Sequence, residues 1–381
     1  MSSVGLAQGH RYVDPSQDQF NLPGGDGASV LTDTGDTQII RMRNWSALYQ
    51  TRDIEAGDYT LTLPENLADF SQLSYEVDGE RFSLEQYLVR NENAGLLVLK
   101  DGEIKLEHYG MGNTEETLWA SFSMSKSVTS LLLGAAIKDG YIASVDDKVT
   151  DYLPRLKGSS YDDVRLRDVL QMSSGVSWNE DYTDLDSDVA SYPGMDLVEI
   201  FKFLGEKERV AAPGEIFNYN TGETDLVGAI VRAAIGNNLS SYLEYKIWQP
   251  FGMEFDANWA THGSAGERAG CCMNVTLRDY GRLGLFALSG GHLTDGSAIL
   301  PEYWMTESLS PSNGSAGYGY LWWLADDGTY SARGIFGQAI HVNPAENLVV
   351  VVLSAWSHAA AGGTVSEAHR VALYQALAEF L

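Results

Sequence analysis

The sequence predicts an α/β body interrupted by a mostly helical insertion, and three observations carry that prediction. A hairpin signal stands near residue 100, where Leu96–Lys100 and Glu103–His108 flank the pair Asp101-Gly102. Asp-Gly suits a type I′ turn, in which both central residues take positive φ. Strand texture returns at Gln338–Val342 and Leu348–Leu353. Between about residues 146 and 275 the texture is helical, with long loops.

Residues 1–70 are rich in Gly, Asp, Gln and Pro with poor periodicity, so they read as an extended arm wrapping the body. Ser83–Leu88 reads as a short helix. In the second hairpin arm Ile104 and Leu106 alternate with charges, as in a half-buried strand. Within Leu118–Tyr141, Val128, Leu131, Leu132 and Ala135 follow the spacing of a helix with one buried face. Lys138 falls in its last turn and Gly140 where a left-handed cap is wanted. Another helix is expected at Arg165–Leu170. Leu348–Leu353 is apolar throughout, which suits a strand buried on both faces. Thr364-Val-Ser-Glu367 is a capping box opening a helix through Ala378. The expected division is an α/β domain from 1–145 and 276–381, with 146–275 as the helical domain.

The chain has 381 residues, of which 44% are hydrophobic, enough for a large globular core. A formal charge of −27 argues against nucleic acid or an anionic membrane as partner. The first ten residues lack a basic and an apolar region, so no secretory leader is expected. No apolar run approaches the roughly 18 residues that a spanning helix needs. The cysteines, Cys271 and Cys272, are neighbours and cannot staple distant segments, which makes a reducing cytoplasm the expected compartment. Asp184, Asp186 and Asp188 begin like a calcium loop, but Val189 and Met195 stand where glycine and glutamate are needed. No metal and no cofactor is expected, and a homodimer is compatible with the sequence.

Ser123 and Lys126 are three apart at a helix start, so both side chains project to one side of the first turn. A buried amine there loses solvation, its pKa falls, and it can take a proton from the hydroxyl. Ser-x-x-Lys alone is weak, since about one chance match is expected in a serine-rich chain. Tyr219 follows the turn Pro213-Gly214 and is either a packed aromatic or a phenol set against Lys126. The glycines of Arg333-Gly-Ile-Phe-Gly-Gln338 would let a backbone N–H approach a ligand closely.

In order, Ser123-x-x-Lys126, Asn179-Glu-Asp-Tyr182, Phe217-Asn-Tyr219 and Gly334-Ile-Phe-Gly-Gln338 resemble the penicillin-recognising serine hydrolases, and among them the 6-aminohexanoate-dimer hydrolase branch. The resemblance runs from about Leu96 to the C-terminus. It implies a β-lactamase-like fold, an antiparallel sheet flanked by helices with an inserted helical domain. It implies Ser123 as nucleophile, Lys126 as its activating partner and Tyr219 as a partner in proton transfer, with the base between the last two left open. It further implies an oxyanion hole from the N–H groups of Ser123 and Ile335. Tyr182, Thr221, Cys271 and Phe336 become substrate-binding positions, Tyr182 on the leaving-group side. The implied substrate is a small ester or linear amide.

Two departures bear on the substrate. Thr221 stands where class C β-lactamases end their Tyr-x-Asn, and Gly334-Ile335-Phe336 replaces a Lys-Thr-Gly. The missing polar groups weigh against β-lactam or D-alanyl peptide cleavage. An α/β-hydrolase elbow is absent, because Asn313 stands two before Ser315 where Gly-x-Ser-x-Gly needs glycine. A different class of reading is a sensor, acylated once by a ligand and not turned over.

Overall fold

The computed structural model describes residues 9–25, 29–192, 195–263, 266–359 and 363–381. The first eight residues, which carry most of the leader reading, lie outside these. The N-terminal part is not an extended arm. It forms the helix α1 (Gly35–Arg43) and the strand β1 (Thr51–Ile54). Ile39, Ile40 and Met42 of α1 are buried, as is Trp45 just after it.

The predicted hairpin is β2 (Asn93–Lys100) and β3 (Glu103–Tyr109), with Asp101 at φ 56° and Gly102 at φ 79°. Both angles are those of a type I′ turn. The short strand β4 (Trp119–Ala120) leads into α2 (Met124–Lys138), and α3 spans Thr221–Ile235. Then come β5 (Ala257–His262), β6 (Met273–Val275) and α4 (Leu277–Leu288). The chain closes with β7 (Trp323–Leu324), β8 (Tyr330–Arg333), β9 (Ala339–Asn343), β10 (Leu348–Ser354) and α5 (Val365–Phe380).

Six strands pair antiparallel in the order β7-β8-β9-β10-β2-β3. Period-two alternation sends Leu97, Leu99, Val349 and Val351 to one face, while Leu96, Val98, Val350 and Val352 join a separate cluster with Leu373 and Leu377 of α5. That is why the β10 run is apolar throughout. On the first face α4 lies close, with Gly281 against Leu97 and Gly284 against Val349.

A second, smaller sheet runs β1-β5-β6-β4. Its strands β5 and β6 come from the stretch expected to be mostly helical, so a boundary at 275 would cut a sheet. The 146–275 segment is helical only as far as Phe251, after which it returns to strand. No described helix is long and apolar enough to cross a membrane.

Candidate active site

Ser123 caps α2, and the residue before it, Phe122, takes φ 45°, a left-handed conformation that bulky residues seldom adopt. The tight turn brings the serine to the head of a helix whose following residues, Met124 to Ala136, are buried. Lys126 is 1% exposed. Its Nζ donates to Ser123 Oγ at 3.0 Å, to Thr221 Oγ1 at 3.0 Å and to the Gly270 carbonyl at 2.7 Å. Burial pushes this ammonium down to about 8, against the raising charges of Glu180 and Asp225.

Tyr219 lines the same cavity as Ser123. Its ring stacks on Trp323 with centroids 5.5 Å apart and meets Tyr318 edge-on, and Lys126 Nζ lies 5.2 Å from its centroid. Burial pushes the phenol well above its usual range, and Glu180 adds to the rise. The phenol is therefore neutral at neutral pH, while the amine is the group poised to lose its proton. Hydroxyl, amine and phenol, scattered over 97 residues of chain, meet in one site.

Glu180 was not singled out in the sequence. Its Oε1 accepts from the Tyr182 phenol at 2.7 Å and from Thr221 Oγ1, and its Oε2 accepts from Thr221 N at 3.0 Å and from Trp178 Nε1. It thus fastens the Trp178–Tyr182 loop to the N-terminus of α3 and sets a negative charge near Lys126. A carboxylate suits a helix N-terminus, where amide donors lack partners. Its signal was its place beside Asn179 and Tyr182, lost among the neighbouring acids.

The Gly334–Gln338 loop turns between β8 and β9. A side chain at Gly334 would meet the Ser121 carbonyl at 2.5 Å, so only glycine passes here. Gln338 Oε1 accepts from Phe336 N and fixes the loop from inside. Neither the Ser123 nor the Ile335 N–H has a hydrogen-bond partner among the described residues. Both residues line two cavities that meet at the serine. The larger, about 240 Å³, is walled by Tyr219, Trp323, Arg333 and Trp356. The smaller, about 80 Å³, is walled by Trp45, Tyr49, Tyr192 and Cys271, with Val30 and Leu31 from the N-terminal segment. Tyr182 lines both, and Thr221 lines the smaller.

Phe336 corrects the expectation of a substrate contact. It is wholly buried, packs edge-on to Phe122 at 4.9 Å, and lines neither cavity. Cys271 and Cys272 are joined as a vicinal disulfide, which bridges no distant segments. In the lining of the larger cavity Arg333 Nη1 donates to Glu367 Oε1 at 2.8 Å, with Arg370 3.8 Å from the same carboxylate. Thr364 still caps α5 through Glu367 N, while the Glu367 carboxylate turns to Arg333 and to Gly363 N.

A family model described as Beta-lactamase matches residues 84–374, more than half of the chain. The chain belongs to the beta-lactamase family. It is a hydrolase of that superfamily, and its site sits on a fold shared with several members. A 6-aminohexanoate-dimer hydrolase of Paenarthrobacter ureafaciens is 28% identical over 297 residues, covering 72% of this chain and 75% of that one. A solved Bacillus anthracis protein, provisionally named a 6-aminohexanoate-dimer hydrolase, superposes with TM-score 0.81 at 21% identity, over 92% of this chain and 97% of its own. A class C β-lactamase superposes with TM-score 0.59 at 16% identity, over 78% of this chain and 94% of its own. At these identities the solved structures speak for the fold of the beta-lactamase family and no further.

Proposed function

We propose that the protein hydrolyses small esters and linear amides through an acyl-enzyme on Ser123. The observation that carries this reading is the 3.0 Å hydrogen bond from a buried lysine to a serine that shares its cavity with a neutral phenol. In this scheme Lys126, unprotonated, takes the Ser123 proton as Oγ attacks the carbonyl carbon. The N–H groups of Ser123 and Ile335 hold the developing oxyanion. The proton passes by way of Tyr219 to the leaving alcohol or amine as the C–O or C–N bond breaks. Water then attacks the acyl carbon, gives its proton to the same pair, and releases the acid.

The similarity to 6-aminohexanoate-dimer hydrolases favours linear amides and esters over β-lactams, in line with Thr221 and Ile335 at the positions noted above. The test is a panel of short-chain esters, a linear ω-amino amide, a cephalosporin and a D-alanyl peptide, run beside Ser123→Ala. Hydrolysis of the first two classes, lost by several orders of magnitude in the variant, is expected. Retained activity in Ser123→Ala removes the nucleophile. A stoichiometric adduct on Ser123 with no product release, seen by mass spectrometry, replaces the enzyme by a sensor.

A further inference from the structure

The smaller cavity holds a cation that the proposed reaction does not use. Its lining is mostly apolar or aromatic and includes the Thr221 and Ser123 hydroxyls, and Arg268 is the only charged side chain among its described lining residues. No hydrogen bond or ion pair reaches the Arg268 side chain from any described residue, and its Nε is buried without a partner. The guanidinium lies 5.9 Å from the centre of the Tyr192 ring. The nearby carboxylate of Asp225 is already bonded to Gly270 N, Tyr192 and His262.

That isolation is unusual in this molecule. The chain has 52 acidic residues against 25 lysines and arginines. Its other inward-facing arginines are paired: Arg41 with Asp33, Arg43 with Asp18, Arg278 with Glu107, Arg282 with Asp279. Arg268 is half-buried, with only its Nε shut off from solvent, so the rest of its guanidinium is free to exchange water for an anionic ligand in the cavity.

The position of the phenol decides which half of a substrate the cation meets. Tyr219 lines the larger cavity and not the smaller. A leaving group that takes its proton by way of Tyr219 departs into the larger space, so the acyl half occupies the smaller one.

We infer that Arg268 recognises a carboxylate at the far end of the acyl half, which makes half-esters and half-amides of short dicarboxylic acids the preferred substrates. This rests on the Ser123 acyl-enzyme reading. The reaction balances as hydrolysis: the half-ester or half-amide and one water give the diacid and the free alcohol or amine.

The experiment compares three methyl esters of equal chain length, ending in a carboxylate, a methyl group or an ammonium, by pH-stat. The intact enzyme is expected to favour the carboxylate ester in kcat/KM by about ten- to a hundredfold over the methyl-ended one, the range of a hydrogen bond to a charged group. Arg268→Gln collapses that ratio, and Arg268→Glu turns the preference toward the ammonium ester. A wild-type ratio at or below one overturns the inference. So does a ratio that neither variant changes while both variants melt like the wild type. Loss of all three activities in Ser123→Ala keeps the acyl-enzyme reading standing even where Arg268 fails.

Discussion

Asp225 Oδ1 accepts a hydrogen bond from Gly270 N at 3.0 Å, and the carbonyl of the same Gly270 receives the Lys126 ammonium at 2.7 Å. Asp225 lies one helical turn beyond Thr221 on α3, so one helix grips the lysine directly through a hydroxyl and indirectly through a turn. Both Asp225 and His262 are without side-chain exposure. Asp225 is a positioning residue, acting through Gly270 and through its charge.

Asp225→Asn keeps the size of the side chain and removes the charge that raises the Lys126 pKa. The acidic limb of kcat/KM should move to lower pH, and kcat should fall. A purely structural role would lower activity without moving the limb. The pH profile of the variant, with a thermal melt beside it, makes the distinction.

In the wild type, the lysine must lose its proton before it can take one from the serine. With burial holding it at about 8, kcat/KM should rise with pH through that value and flatten above it. Glu180→Gln removes another raising charge and should shift the same limb downward. A profile flat from pH 6 to 9 would show that Lys126 is not the base.

Gly270→Ala places a methyl 2.9 Å from Thr221 Cγ2 and from the Thr221 carbonyl, and 3.4 Å from Lys126 Nζ. Turnover should drop at least about tenfold, as expected when a catalytic group is displaced by a fraction of an ångström. Activity near the wild type would mean that the turn yields freely, and steady-state kinetics settle it.

Tyr182→Phe deletes the hydroxyl that donates to Glu180 at 2.7 Å beside the serine. Amine leaving groups need a proton more than alcohols do, so amide cleavage should suffer more than ester cleavage. Matched ester and amide substrates measure it, and equal losses would confine Tyr182 to packing.

Glu223 is buried in the first turn of α3, where its Oε1 accepts from Tyr161 at 3.1 Å and from Ser174. Burial pushes its carboxyl up to about 8. The folded state therefore holds a proton that the unfolded chain releases above about 4.5, the ordinary glutamate value. Stability present below that pH is lost as pH rises toward 8. Glu223→Gln should flatten this slope and melt at or above the wild type at pH 8, by calorimetry at pH 5 and 8. A larger deficit at pH 8 than at pH 5 would contradict it.

Local patterns carried well from sequence to structure. The Asp101-Gly102 turn is a property of two backbone angles, and the Ser123–Lys126 geometry follows from helical spacing alone. Tyr219 is different, because its approach to Ser123 depends on tertiary packing against Trp323 and Tyr318. The N-terminal helix escaped notice because Arg41 and Arg43 interrupt its apolar face. Both are buried through Asp33 and Asp18, pairs that no periodicity reveals. Glu180 and Arg268 were hidden for a related reason: a charge acquires meaning only from what surrounds it once folded.

The smaller sheet has a consequence for how the chain comes together. Thr51 pairs with Ala260 and Ile54 with Ala257, so this edge can form only after some two hundred intervening residues exist. During synthesis the β1 segment must wait, its backbone groups satisfied by water, until β5 leaves the ribosome. Docking of Trp45 and Tyr49 beside Ser123 is coupled to that late event. Slow maturation is what such long-range pairing imposes, and the larger sheet, whose β10 must reach back to β2, closes later still.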